Sequence, residues 1–282
     1  MFQAVSAKLT TWCWNGPWTS LLAQASYSPQ FLRTLAKTHL PPAKVYFQKN
    51  QKKLDYLLAH LADDTSRAVF SELVDSRIHG RLPACREHTP QYFPPQILGT
   101  RAQDVFVDCG AYTGDTLVNF QKFCAGNYQK IVAFEPEPSL FTKLQQHAFP
   151  RCTYIRGGVW HRKATLPFLA LGSAGSRLEY ADTSGDCPAS KLISVPVYKI
   201  DEVPACADVT FLKMDVEGAE LNALKGAEKT IRKNKPTLAV CIYHSDRDML
   251  EIPLWILSLN LGYKLYIRHY SDDVWETVVY AV

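Results

Sequence analysis

The amino-acid sequence predicts an α/β fold, a doubly wound and mostly parallel sheet preceded by a helical N-terminal extension. Three observations carry this. From residue 104 onward, short continuous apolar runs of the kind found in strands buried on both faces alternate with stretches of helical period. A glycine-containing turn follows the first of these runs, where an open α/β sheet binds its ligand. Residues 1 to about 90 have a different texture, with amphipathic helical stripes followed by a proline-rich stretch.

In the first region, Leu54, Leu57, Leu58 and Leu61 fall at i, i+3, i+4 and i+7, the stripe of an amphipathic helix. Asp63 and Asp64 can cap a second helix carrying Val69, Phe70, Leu73 and Val74, which Gly80 would end. Four prolines between Pro83 and Pro95 predict an extended linker. The strand runs then follow at 105–107, 131–134, 209–212, 237–242, 263–267 and 277–282, with a third strand expected before Gly157. Helices between them are marked by Leu117 and Phe120 with Phe123 or Cys124, by Leu140, Phe141 and Leu144 behind Pro138, and by Leu221, Leu224, Ala227 and Ile231. Strand–helix–strand alternation implies right-handed parallel crossovers. Residues 161–200 break the rhythm and predict an insertion near the edge or mouth of the sheet.

Composition sets the outer limits. With 282 residues and 47% apolar content, the chain can bury a sizeable core and is not a disordered protein. Thirty-one basic against 27 acidic residues give +4, no electrostatic footprint for nucleic acid. The eight cysteines form no C-x-x-C pair, which excludes the usual zinc-knuckle spacings. No apolar run approaches the roughly 20 residues of a membrane span. The N-terminus (MFQAVSAKLTTWCWNGPW) makes a poor signal peptide, so a cytoplasmic location is expected.

The turn Val107-Asp108-Cys109-Gly110-Ala111-Tyr112-Thr113-Gly114-Asp115-Thr116 selects the cofactor class. Gly110 and Gly114 allow tight geometry and close approach of a ligand to the backbone. A dinucleotide fingerprint begun at Gly110 would need glycines at 112 and 115, which are Tyr112 and Asp115. The tyrosine would obstruct a pyrophosphate and the aspartate would repel it. S-adenosylmethionine (SAM), a sulfonium with a zwitterionic tail and no phosphate, tolerates both, and Asp108 could attract its cationic side. Glu135, at the end of the second strand, is placed to accept hydrogen bonds from a ribose diol. The Gly157-Gly158-Val159-Trp160 loop can offer adenine an apolar slot and backbone donors, though Trp160 also suits an ordinary core position.

Candidate chemistry lies further on. Asp215, Glu217 and Glu220 cluster where the fourth strand meets its helix, and His244 emerges after the fifth strand in the same row of loops. Glu220 alone would be an ordinary helix-dipole partner, whereas His244 beside acids is a general-base candidate.

The segments VDCGAYTGDT, AFEPEP, FLKMDVEGAELNAL, IYHSDRD and LYIRHYSDDVWETVVYA, in this order, resemble the FkbM family of SAM-dependent methyltransferases. The resemblance runs from about Gln91 to Val282. It implies a Rossmann-like, seven-stranded class I methyltransferase domain over 91–282, behind a helical region and linker over 1–90. It implies a cofactor site built from Asp108, Gly110, Tyr112, Thr113, Gly114, Glu135, Gly158, Val159 and Asp215. The acidic segment and histidine map to Asp215, Glu217, Glu220 and His244. The expected reaction is O-methylation of a small molecule, sugar or glycan, with His244 as base, Asp215 orienting it or binding substrate, and Glu217 beside them. The competing mechanism holds Mg²⁺ on Asp215 and Glu217, with His244 or Asp246. A non-catalytic SAM-fold binding module and a nicotinamide-dependent oxidoreductase remain as alternatives, and homo-oligomerisation is left open.

Overall fold

The computed structural model describes residues 42–99, 103–173, 175–178 and 191–282. The expectation for the extreme N-terminus, and part of that for 161–200, lie outside the described residues. The chain forms a seven-stranded sheet in the order β10-β11-β9-β8-β1-β2-β3. Its strands are β1 Asp104–Cys109, β2 Tyr128–Glu135, β3 Cys152–Arg156, β8 Phe211–Met214, β9 Thr237–Cys241, β10 Leu265–His269 and β11 Thr277–Ala281. All pairings are parallel except the two made by β11. This is the doubly wound, Rossmann-like class I methyltransferase fold.

Alternation along the strands feeds two cores. Val107 and Cys109 of β1 point to one face, where helices α7 Glu220–Gly226, α8 Glu228–Asn234 and α9 Asp246–Ser258 contribute Leu224, Ile231, Met249 and Ile256. Phe106 points to the other, where α5 Asp115–Phe123 and α6 Pro138–Gln146 contribute Leu117, Phe120 and Leu144. Burial on both faces explains why the strand runs are continuously apolar rather than alternating.

The run Leu221–Ile231, read from sequence as one helical face, is divided into α7 and α8. Gly226 lies so close to the Trp160 carbonyl that any Cβ would overlap it, and Ala227 leaves the helical region (φ −107°, ψ 3°). A new helix start follows, where Asp201 accepts the Thr230 N–H at 2.8 Å. The interrupting region forms a second sheet, in the order β4-β7-β5-β6, from β4 Gly158–Val159, β5 Ala164–Leu169, β6 Arg177–Leu178 and β7 Leu192–Tyr198.

Helices α1 Pro42–Lys49, α2 Gln51–His60 and α3 Asp64–His79 share the first core through Phe47, Leu57, Phe70 and Leu73. They also occupy the outer edge of β10, whose unpaired polar groups would otherwise template another strand. Ala62 N donates to Leu265 O at 2.8 Å, Ile267 N to Ser66 Oγ at 2.9 Å, and Glu87 N to His269 O at 2.6 Å. α3 begins as its sequence indicates, with Asp63 accepting from Ser66 N at 2.7 Å, and ends at Gly80 with φ 61°. In the linker stretch before α4 Pro95–Leu98, Phe93 enters the second core against Phe106, Phe120 and Phe211.

Asp63 couples the helical region to the sheet, because the largely buried Arg268 of β10 donates to its Oδ2 at 2.7 Å. Burial would raise the Asp63 pKa, but hydrogen bonds from Arg268 and Ser66 outweigh it and hold it at about 2. A pKa depressed on folding contributes stability above the unfolded value of about 3.9 that is lost as pH falls through about 2. Asp63→Ala should therefore cost about 1–3 kcal/mol in urea denaturation at neutral pH, through the lost cap and the loss of the closest carboxylate partner of a buried arginine. The difference from wild type should shrink in acid. An unchanged midpoint would show that the contact carries no stability.

Candidate active site

The order of strands reverses at β1, and the crevice beyond the carboxyl ends of β1, β2 and β8 is the switch point of the fold. One pocket occupies it. Gly110, Tyr112, Glu135, Gly158, Val159, Asp215 and Glu217 all line this pocket, so the structure brings the predicted cofactor turn and the acidic segment to a single cavity. Asp108, Thr113, Gly114 and His244 are not on its wall.

Each of these four has a place of its own or lies behind the wall. Asp108 is fully buried behind the turn, 3.0 Å from Lys213 Nζ. Burial pushes its pKa up to about 6, against the pull of Lys213. Gly114 starts α5 with φ 96°, and a Cβ there would meet Leu144 and Phe149 rather than the pocket. Thr113 follows Tyr112 within the turn. His244 lies behind Asp215 and Glu217, with its side chain only 4% exposed.

The half of the pocket bordered by the turn and Glu135 is held by backbone contacts. Glu135 Oε2 accepts from Tyr112 N and its Oε1 from Glu137 N, both at 2.9 Å, which fixes the carboxylate at the end of β2. Burial pushes its pKa up to about 7, with those two N–H donors opposing. At Gly110 (φ 83°) an added Cβ would overlap the Asp215 carbonyl oxygen, so the turn and the end of β8 touch only because this residue is glycine. Asp115 of α5 also faces the pocket, keeping a carboxylate where a bound phosphate would sit. The second sheet contributes Phe168 and Leu178, and Ser176, just before β6, also lines the pocket while its Oγ donates to Glu137 beyond β2.

The acidic half is densely wired. Asp215 accepts from Tyr92 Oη at 2.9 Å and from Tyr243 Oη at 3.1 Å. Burial and the Asp215 charge hold both phenols well above their usual pKa, so they act as donors. Burial would raise Asp215, but Lys213 and His244 keep its pKa below the ordinary value. Burial raises Glu217, with His244 opposing. Burial pulls the His244 imidazolium down, yet Glu220 and Glu217 outweigh it and raise its pKa well above the usual value. Glu220 is itself tied into the loop, accepting from Val216 N at 2.7 Å and Gly218 N at 3.0 Å. Asp246 is engaged elsewhere, 2.9 Å from Arg77, and does not join this cluster.

Sequence reasoning missed Gln91, Tyr92, Lys213 and Glu276, all on the pocket wall. Burial and the Asp215 charge push Glu276 up to about 7, against the hydrogen bond it receives from Gln91. The available signal was the aromatic pair Tyr92-Phe93, too apolar for a solvated proline-rich linker. The pocket also gathers backbone strain: Tyr92, Tyr112, Glu217 and Glu276 line it with φ of 69°, 50°, 56° and 60°. Non-glycine residues adopt this region at a cost of order 1–3 kcal/mol, and such outliers cluster at functional sites.

Residues 108–265 match the family model described as the methyltransferase FkbM domain. The chain belongs to the FkbM methyltransferase family. Among solved structures it is similar to a methyltransferase FkbM from Methylobacillus flagellatus KT, 25% identical with a TM-score of 0.70. That alignment covers 85% of this chain but only 60% of the other, so the chain spans less than two thirds of that protein's length. A fibrillarin from Aeropyrum pernix with natively bound S-adenosyl-L-methionine is 15% identical with a TM-score of 0.40, covering 64% of this chain and 67% of that one. No curated protein matches the chain in sequence. Among the described residues no helix is long and apolar enough to cross a membrane.

For an FkbM-type methyltransferase the close approach at Gly110 is testable on its own. Gly126 has a similar positive φ (73°) but open space around it. Gly110→Ala should therefore cost about 1–3 kcal/mol more than Gly126→Ala in denaturant unfolding, the overpacking component. Equal costs would show that the turn and β8 can separate freely.

Proposed function

We propose that the protein is a SAM-dependent O-methyltransferase acting on a hydroxyl of a small molecule, sugar or glycan. The observation that carries this is the single pocket joining the fixed Glu135 carboxylate to Asp215, Glu217 and Glu276. Glu135 retains acceptor capacity for a ribose diol, while Gly110, Tyr112, Gly158 and Val159 border the remainder of the cofactor. Tyr112 and Asp115 on the wall disfavour a pyrophosphate, which supports SAM over a nicotinamide dinucleotide. Asp108 acts from behind, through Lys213 and the turn. Thr113 and Gly114 shape the entry into α5.

In the reaction the acceptor oxygen forms a bond to the methyl carbon, and the carbon–sulfur bond breaks with its electrons going to sulfur. The hydroxyl proton passes to a carboxylate. His244 does not reach the cavity, so we assign it as a positioning residue for Glu217 and Asp215 rather than as the base. Glu276, half-buried on the wall and held by Gln91, is assigned as the proton acceptor. Holding the hydroxyl in line with the sulfonium supplies much of the acceleration, as orientation is worth on the order of 7–11 kcal/mol.

Calorimetry tests the cofactor assignment, with SAM expected to bind and NADH expected not to. Glu135→Ala should weaken SAM binding by about 1–3 kcal/mol, the loss of charge-assisted hydrogen bonds. The ionised carboxylate is the better acceptor, and the charges facing it are Glu137 and Lys213. Wild-type affinity should therefore fall as pH drops through about 7, while the variant stays flat. NADH binding without SAM binding, or an affinity indifferent to Glu135, would overturn the assignment.

A further inference from the structure

The charge arithmetic behind the pocket wall is unbalanced. Asp215, Glu217 and Glu220 converge on one imidazole, and Lys213, which also acts on Asp215, is shared with Asp108 at 3.0 Å. His244 Nε2 is buried, makes no hydrogen bond of good geometry, and is aimed between Glu217 Oε2 at 3.5 Å and Asp215 Oδ1 at 3.6 Å. These separations exceed an ordinary N–H···O bond. They approach the spacing of two ligand atoms that share one ion, since donors about 2.1 Å from a metal stand about 3.0–3.4 Å apart in octahedral or tetrahedral geometry. One donor atom from each of the three residues lies within 4.8 Å of the other two.

The surroundings repeat the arrangement of a metal site's outer layer. A ligating histidine usually turns its second ring nitrogen to a carboxylate, and His244 Nδ1 faces Glu220 Oε1 at 3.3 Å, an ion-pair approach rather than a well-aligned hydrogen bond. Glu220 is in turn locked by Val216 N and Gly218 N. A ligating carboxylate is usually hydrogen-bonded as well, and Asp215 receives both the Tyr92 and Tyr243 hydroxyls. Glu217 sits at φ 56°, a conformation that the loop must enforce to turn its side chain inward.

We infer that Asp215, Glu217 and His244 form a binding site for one divalent transition-metal cation. The donor set is specific about the class. Magnesium favours oxygen donors and retained waters, whereas an imidazole with two carboxylates suits Mn²⁺, Fe²⁺ or Zn²⁺. Of the two third ligands the sequence offered for Mg²⁺, His244 lies in the cluster and Asp246 does not, and the nitrogen donor it brings favours these ions over Mg²⁺. Since Asp215 and Glu217 line the pocket, the open coordination positions face the acceptor. There the cation would bind and acidify an acceptor oxygen. That role rests on the methyltransferase reading; the binding site itself does not.

The test uses untagged full-length protein, stripped with chelator and dialysed. Mn²⁺ is titrated by electron paramagnetic resonance, and Zn²⁺ and Mg²⁺ by calorimetry. One saturable Mn²⁺ or Zn²⁺ site per chain is expected, at least tenfold tighter than Mg²⁺, and weakened at least tenfold in both Glu217→Gln and His244→Gln. Absence of saturable binding, a preference for Mg²⁺, or unchanged binding in Glu217→Gln would overturn the inference. If His244→Gln fails to fold, Glu217→Gln alone decides. Binding of S-adenosylhomocysteine, measured in the same wild-type samples, separates failure of the metal site from failure of the cofactor assignment.

Discussion

A buried ion pair underlies the geometry of the pocket. Lys213 of β8 is 2% exposed and Asp108 of β1 is fully buried, and they meet at 3.0 Å. The same ammonium donates to the Gly110 carbonyl at 2.8 Å and lies 5.1 Å from the centre of the Tyr92 ring. One side chain therefore ties together the cofactor turn, the end of β8 and the aromatic segment that reaches Asp215. Neither Asp108 oxygen makes a hydrogen bond among the described residues, so the compensation for its buried charge comes from Lys213. Removing one partner of such a pair is expensive, which makes it a poor source of net stability but a strong specifier of arrangement.

The two halves of the pocket follow from that constraint. Gly110 rests against the Asp215 carbonyl, so whatever places the turn also places the acids. On one side the turn presents the Tyr112 N–H to Glu135 and a carboxylate at Asp115, a combination unsuited to phosphate. On the other side, Tyr92 and Tyr243 donate hydrogen bonds to Asp215, and Glu276 also lines the cavity. The strained backbone at four wall residues is compensated by the cores on either side of the sheet, which are continuous and largely aliphatic or aromatic.

Much of the scaffold was legible because it depends on local rules. Continuous apolar runs located the strands, Asp63 and Gly80 bounded α3, and the absence of two fingerprint glycines argued against a dinucleotide. What escaped the sequence was non-local. Nothing in the run Leu221–Ile231 shows that the Trp160 carbonyl will press against Gly226 and divide the helix. The proline-rich stretch looks like a linker until the fold brings Tyr92 to Asp215, 123 positions away. His244 reads as an accessible base in one dimension, whereas packing places it behind the acids that surround it. Asp108, read as a ligand contact, lies fully buried beneath the turn against Lys213.

The central claim is that the Asp108–Lys213 pair aligns the turn with the acidic strand end. Its most direct test is urea unfolding and SAM calorimetry of Lys213→Met alone and combined with Asp108→Asn. The single substitution should cost about 3–5 kcal/mol, because it leaves a carboxylate buried and unpaired. The double substitution should regain most of that stability but not the SAM affinity, since the Gly110 carbonyl has still lost its donor. A neutral single variant, or a double variant that binds SAM as wild type does, would contradict the account.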